Sequence, residues 1–136
     1  MIDATIDTER ADVLRVPPIL GPTFSAHANL RRETLRVALA GNGDVRAQDA
    51  LEVFLTALHA EASRLGVTHV ELDCQDLTFM NSCCLKALVS WIGAVQDAPA
   101  EVQYKICFLS NPRLHWQKRS FRALACFAAE LVSIQQ

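Results

Sequence analysis

Residues 67–88 read VTHVELDCQDLTFMNSCCLKAL, which is the pattern of a buried strand followed by a helix. Val70, Leu72 and Cys74 alternate with polar residues, as expected for a strand with one buried side. After a polar connection, apolar residues repeat at the spacing of a helix that ends before Pro99. These residues are Leu85, Leu88, Val89, Ile92 and Val95. The sequence predicts a strand over 67–74 and a helix that begins near Ser82.

Ser82 occupies the predicted strand-to-helix bend. The first N–H groups of a helix lack intrahelical partners, and the helix dipole places partial positive charge there. A serine hydroxyl can cap such an end. A phosphoserine would bring about −1.5 to −2 charges to it, with Lys86 one turn further along. Ser82 is therefore either a simple helix cap or a phosphorylation switch.

The segment from Leu72 to Leu88 resembles the signature of STAS domains, the anti-sigma factor antagonist family. That signature is a hydrophobic strand, then Asp-Ser-Ser/Thr-Gly, Leu and a helix, and its serine is phosphorylated by a partner-switching kinase. Ser82 matches this serine, whereas Asn81, Cys83 and Cys84 replace the aspartate, the second hydroxyl residue and the glycine. The Asn-Ser-x-x-Leu-Lys-Ala form is similar to the SiaC-type branch of STAS-like regulators, which a kinase and phosphatase pair controls.

The resemblance implies an α/β fold with a STAS-like mixed sheet of four to five strands, packed with three to four helices in a single domain over residues 13–136. It implies a non-enzymatic regulatory protein. Its partners would be a serine/threonine kinase of anti-sigma type, a PP2C-type phosphatase, and either an anti-sigma factor or a diguanylate cyclase as output. Phosphorylation is expected at Ser82, and partner contacts at Asn81, Ser82, Cys83, Lys86 and Trp91. A STAS-like scaffold or self-association module without a phospho-switch is the alternative, and a homodimer is compatible with either.

Trp91 has two interpretations. It belongs to a stripe of mostly small residues beside the apolar face of its helix, so it either completes the edge of the core or anchors a partner near Ser82.

The remaining chain follows the same order of elements. Prolines 17, 18 and 22 favour an edge strand between Val13 and Asn29. A second strand is predicted over Thr34 to Gly41, before a turn at 41–44 and a helix from Asp44 to Leu65. Further elements are a strand over Tyr104 to Ser110, a helix over Leu114 to Glu130, and a strand over Leu131 to Ile134. Helices would cover one or both faces of the sheet, and residues 1–12 are expected to form a mobile lead-in.

Composition favours one soluble domain. The 136 residues contain no apolar run near the roughly 18 residues of a membrane span, and the acidic N-terminus does not read as a secretory signal, so a cytoplasmic location is expected. The five cysteines are expected to be buried and reduced. No spacing indicates a metal or cofactor, and no Gly-x-Ser-x-Gly elbow surrounds Ser82.

Cations gather toward the C-terminus, in the segment Arg113-x-His115-Trp116-x-Lys118-Arg119-x-x-Arg122. The segment lacks a nucleic-acid module and regular aromatic interleaving, so neither nucleic acid nor membrane is expected as a partner. It is interpreted as a solvated helix face, with a docking surface for an acidic protein as the alternative.

Overall fold

A computed structural model describes residues 14–136, in which six strands form one mixed sheet. The strands follow one another across the sheet in chain order. They are β1 (Ile19–Leu20), β2 (Phe24–Arg31), β3 (Thr34–Gly43), β4 (His69–Met80), β5 (Lys105–Leu109) and β6 (Val132–Gln135). β1, β2 and β3 pair antiparallel, whereas β3 to β6 are parallel. Parallel neighbours need crossovers, which are α1 (Gln48–Arg64), α2 (Ser82–Asp97) and α3 (His115–Phe127).

The three helices cover one face of this sheet. Each crossover moves one strand further in the same direction, so right-handed connections place every helix on the same side. Burial agrees, because alternate strand residues such as Val37, Leu72 and Phe108 are almost fully buried. Residues of the other set, such as Arg36 and Glu71, remain accessible and form an exposed ion pair of 3.2 Å. The second face of the sheet is therefore open and polar.

β4 is longer than its neighbour β5, which pairs with residues 69–73 alone. The β3–β4 register also shifts between Ala38 and Ala40, opposite Asp73 and Asp76. Side chains at the start of α3 and in the loop before it supply hydrogen bonds to the carbonyl groups of this overhang. Gln117 Nε2 donates to Cys74 O (2.7 Å) and Leu77 O (3.0 Å), Trp116 Nε1 to Thr78 O (2.8 Å), and Asn111 Nδ2 to Gln75 O (2.9 Å). The start of α3 is thus fixed against the end of β4.

The mixed α/β fold predicted from the sequence is confirmed. The sheet has six strands rather than four to five, because the segment predicted as one edge strand contains β1 and most of β2. β3 continues through the predicted turn to Gly43, and β4 continues through the predicted connection to Met80, since these two ends pair with each other. The helix expected from Asp44 begins instead as a short 3-10 turn, Val45–Ala47, with Asp44 as its cap. Residues 1–12 lie outside the described residues, and the proposed domain limits remain a prediction.

The expectation of five buried cysteines is only partly correct. All five are free, but burial is complete only for Cys74 and Cys84. Cys83 and Cys107 are half-buried, and Cys126 is exposed because it lies on the outer side of α3.

Candidate functional site

The predicted bend at Ser82 is a tight corner between β4 and α2, and Asn81 holds it in place. Its side-chain oxygen accepts a hydrogen bond of 2.9 Å from Cys84 N, so Asn81 is the N-cap of α2. Its backbone N–H donates to Gly43 O at 2.8 Å, which ties the corner to the end of β3. The capping role considered for Ser82 therefore belongs to Asn81, and Asn81 is a structural residue whatever else it contacts.

Ser82 is the first residue of α2 and is exposed to solvent. Cys84 is fully buried, with its thiol 3.5 Å from Asp44 O, and Cys83 is half-buried between them. The cap satisfies the N–H of Cys84, which leaves the N–H groups of Ser82 and Cys83 at the open helix end. An anion attached to the Ser82 hydroxyl would meet these donors and the positive end of the dipole.

Charged groups surround the corner on both sides. Lys86 is exposed one helical turn after Ser82, and no ion pair with a described residue involves it. Asp44 accepts hydrogen bonds from the backbone and guanidinium of Arg46, with Arg46 Nη2 at 2.8 Å. The Arg46 guanidinium holds the pKa of Asp44 below its usual value. Asp44 is thus engaged locally, whereas Lys86 is available to an added anion.

Two apolar side chains near the corner were not identified from the sequence. Phe79, three residues before Ser82, is 47% exposed, and Val45 is 65% exposed. Val45 belongs to the 3-10 turn that contacts Cys84 through Asp44. The sequence places Phe79 in the connection after the predicted strand and Val45 in the first turn of the helix predicted from Asp44. The alternation of β4 gives no signal for Phe79, because the buried residues Leu77 and Met80 are three positions apart and the two-residue repeat is broken there.

Trp91 does not join this surface. It is 4% exposed, and its indole N–H donates to the hydroxyl of Tyr104 at 2.9 Å. The same hydroxyl lies 2.7 Å from His59 Nδ1, so α1, α2 and the start of β5 meet at this cluster. Of its two interpretations, the edge of the core is the one that fits, and the interpretation as an exposed anchor is withdrawn because the ring is buried and its polar atom is occupied.

Ser82 does not line the groove between α1 and α2, which has a volume of about 370 Å³ and runs beside Trp91. Within residues 14–136, no group of three or more His, Cys, Asp or Glu side chains is placed to hold a metal ion. No helix in this part of the chain is long and apolar enough to cross a bilayer.

Comparison with known proteins gives matches among solved structures. No protein-family model matches the chain, and no curated protein matches its sequence. Among solved structures, the chain is similar to an anti-sigma factor antagonist from Mycobacterium paratuberculosis, with a TM-score of 0.62 and 14% sequence identity. The match covers 86% of this chain and 90% of that structure. At this identity the similarity shows the fold, and the predicted STAS-like fold is confirmed.

Proposed function

We propose that this chain, which has the fold of an anti-sigma factor antagonist, is a non-enzymatic regulator that binds protein partners through the corner at Ser82. Phosphorylation of Ser82 would switch that binding. The partners expected are a serine/threonine kinase of anti-sigma type, a PP2C-type phosphatase, and an anti-sigma factor or diguanylate cyclase as output. The location expected for the protein is the cytoplasm.

One observation carries the proposal: the exposed Ser82 stands at a helix end that other residues hold in place. Asn81 and Cys84 provide the cap, and the hydroxyl of Ser82 is not part of it. A phosphate can therefore be added without breaking a hydrogen bond of the fold, and Lys86 and the helix dipole can accommodate it. The change would alter the surface that a partner meets rather than the stability of the domain.

The composition of the surrounding surface supports protein binding. Exposed apolar side chains occur near the corner: Phe79 precedes Ser82 by three residues, and Val45 belongs to the 3-10 turn that packs against α2. Apolar side chains at the centre of a contact and charges around it are typical of protein interfaces. A new phosphate at such a site would oppose docking, because the partner would have to desolvate it and meet its charge.

The test compares proteins captured from lysate of the native host by the wild type, Ser82→Ala and Ser82→Glu. Ser90→Glu is the matched control, because Ser90 is an exposed serine two turns further along the same helix. We expect a kinase or output protein to bind the wild type, Ser82→Ala and Ser90→Glu but not Ser82→Glu. Phosphopeptide mass spectrometry of the protein isolated from its host should find the phosphate on Ser82.

Capture of the same partners by Ser82→Glu as by the wild type would contradict the switch. Self-association of the chain unchanged by Ser82→Glu, together with an absence of phosphate, would favour the scaffold instead. Circular dichroism of each variant establishes that it is folded before its binding is interpreted.

A further inference from the structure

The outer side of α3 is a continuous basic surface. The exposed residues of this helix recur at intervals of three and four, which places them on one side. All of them except Phe127 line a shallow groove of about 500 Å³, with cationic or titratable side chains around two small residues. This surface, here called the α3 stripe, consists of His115, Lys118, Arg119, Arg122, Ala123 and Cys126.

The cations of the α3 stripe are not used by the fold. Among residues 14–136, no ion pair or hydrogen bond engages the side chains of Lys118, Arg119 or Arg122. The helix contains no acidic residue of its own. Lys118 and Arg122 are also four residues apart, a spacing at which like charges repel each other in a helix. Packing within the described domain therefore gives no reason for this concentration of charge.

The position of the charges along α3 is unfavourable as well. Helix dipoles favour anions in the first turn and cations in the last, but α3 has no acid in its first turn and no base in its last. Leu114 occupies the N-cap without a side-chain hydrogen bond. The N-terminal half of α3 thus combines the positive end of the dipole with Lys118 and Arg119, a combination that an external anionic group would stabilise.

We infer that the α3 stripe docks an acidic helical segment of a partner protein, with carboxylates spaced to meet Lys118, Arg119 and Arg122. Helical spacing on the partner would match the intervals of the stripe, and Ala123 and Cys126 leave room for side chains between the cations. This surface is separate from the Ser82 corner, and the inference does not depend on phosphorylation of Ser82.

The chemistry of the stripe favours a protein over the other polyanions. A membrane would require apolar side chains to insert, but the apolar side of α3 is buried through Phe121 and Leu124, and Phe127 is its one strongly exposed large hydrophobic residue. Single-stranded nucleic acid would require stacking aromatics beside the cations. Trp116 is half-buried, and its N–H is bonded to Thr78. The chain also has a formal net charge of −2, which opposes non-specific attachment to either surface.

The probe is a fluorescein-labelled helical peptide of about 15 residues, with glutamates at i, i+4 and i+7 in an alanine-rich sequence. The control peptide carries glutamines at those positions. The variant Lys118→Gln/Arg122→Gln is compared with Arg31→Gln/Arg36→Gln, which removes the same charge from exposed residues of β2 and β3 on the open face of the sheet. Anisotropy titrations at low and physiological salt report binding.

We expect the stripe variant to weaken binding of the glutamate peptide by about tenfold or more, a loss of about 1.4 kcal/mol. The open-face variant and Ser82→Glu should bind as the wild type does, and added salt should weaken the interaction. Equal losses in both double variants, or no binding of the glutamate peptide, would overturn the inference. Tighter stripe-dependent binding to a thymidine 15-mer or to phosphatidylglycerol-containing vesicles would also overturn it. The two proposals fail separately: loss of peptide binding is tested with the stripe variant, whereas the Ser82 switch is tested by partner capture with Ser82→Glu.

Discussion

The indole N–H of Trp91 donates a hydrogen bond of 2.9 Å to the hydroxyl oxygen of Tyr104, and both side chains are almost fully buried. Because the indole nitrogen can only donate, the tyrosine hydroxyl is free to donate to His59 Nδ1, 2.7 Å away. Burial lowers the pKa of His59, which favours the neutral ring that can accept this bond. Trp91, for which the sequence left both the core edge and a partner anchor open, is thus part of a polar connection between two helices and the sheet.

Tyr104→Phe is expected to lower the free energy of unfolding by about 1–3 kcal/mol, because it leaves the buried indole N–H without an acceptor. Urea denaturation measures the loss. A double-mutant cycle with Trp91→Phe separates the hydrogen bond from the change in packing, and it should give a coupling energy of at least about 0.5 kcal/mol. Strictly additive effects would mean that the two side chains do not interact energetically.

Asn81 and Ser82 should differ sharply when each is replaced by alanine. Asn81→Ala removes the cap of α2 and is expected to cost about 0.5–2 kcal/mol in thermal or urea unfolding. Ser82→Ala, the adjacent control, should change stability by less than about 0.5 kcal/mol, since Ser82 is exposed and is not the cap. If Ser82→Ala were the more destabilising change, the capping roles assigned here would be reversed.

Gln117 should be among the most sensitive polar positions of the domain. It is fully buried, and Gln117→Leu would leave the carbonyl groups of Cys74 and Leu77 and the N–H of Asn111 without partners. We expect a loss of more than about 2 kcal/mol. Gln103→Leu is the matched control, because Gln103 also bridges two carbonyl groups, of Gln96 and Ala98, but is less buried. A similar loss in both variants would show that burial does not set the cost.

The Glu61 carboxylate should make the stability of the fold depend on pH in the acid range. It is a buried carboxylate of α1 that accepts hydrogen bonds from the Arg64 guanidinium and from the backbone N–H of Arg15 at 2.8 Å. These interactions, with Arg64 the larger cause, lower its pKa from 4.5 to about 2. A group whose pKa is lower in the folded state stabilises the fold above its unfolded pKa and loses this contribution as the pH falls through the folded pKa.

The contribution of Glu61 should therefore be complete at neutral pH and decline between pH 4.5 and about 2. Urea midpoints measured across this range would show the decline in the wild type. Glu61→Gln should be less stable at neutral pH and should lose less stability on acidification. Arg64→Met should give an intermediate slope, because the bond from Arg15 remains. A wild-type slope in Glu61→Gln would assign the acid sensitivity to other groups.

The fold was accessible from the sequence because periodicity, turn residues and helix stops agreed along most of the chain. Buried positions are apolar, so burial is visible in the sequence as a period. This holds for the alternation of Val70, Leu72 and Cys74 and for the helical repeat after Ser82. The end of β4 was not accessible in this way. Residues 75–80 are polar enough to be interpreted as a connection, and their extended conformation is stabilised by pairing with β3 and by side chains that follow some 40 residues later.

The sequence predicted where the candidate site lies, but not which residue caps the helix or which side chains are exposed there. The corner at Ser82 lies where the pattern placed it, since a strand must turn there to begin a helix. Which neighbour caps the helix depends on side-chain direction, and a hydroxyl and an amide one residue apart are equally suitable by type. The exposure of Phe79 and the burial of Trp91 depend on how three elements pack together, and the local sequence does not contain that information.

The far end of β4 is synthesised before the side chains that cover it. Synthesis proceeds from the N-terminus, so Cys74 leaves the ribosome 43 residues before Gln117, the side chain that occupies its carbonyl group. At typical elongation rates this interval lasts roughly two to nine seconds. During that time the far end of the strand has an open edge of the kind to which other extended chains can add. A chain that terminates before α3 keeps that edge permanently, so the side chains of residues 111–117 determine whether the far end of β4 is covered or stays open to another extended chain.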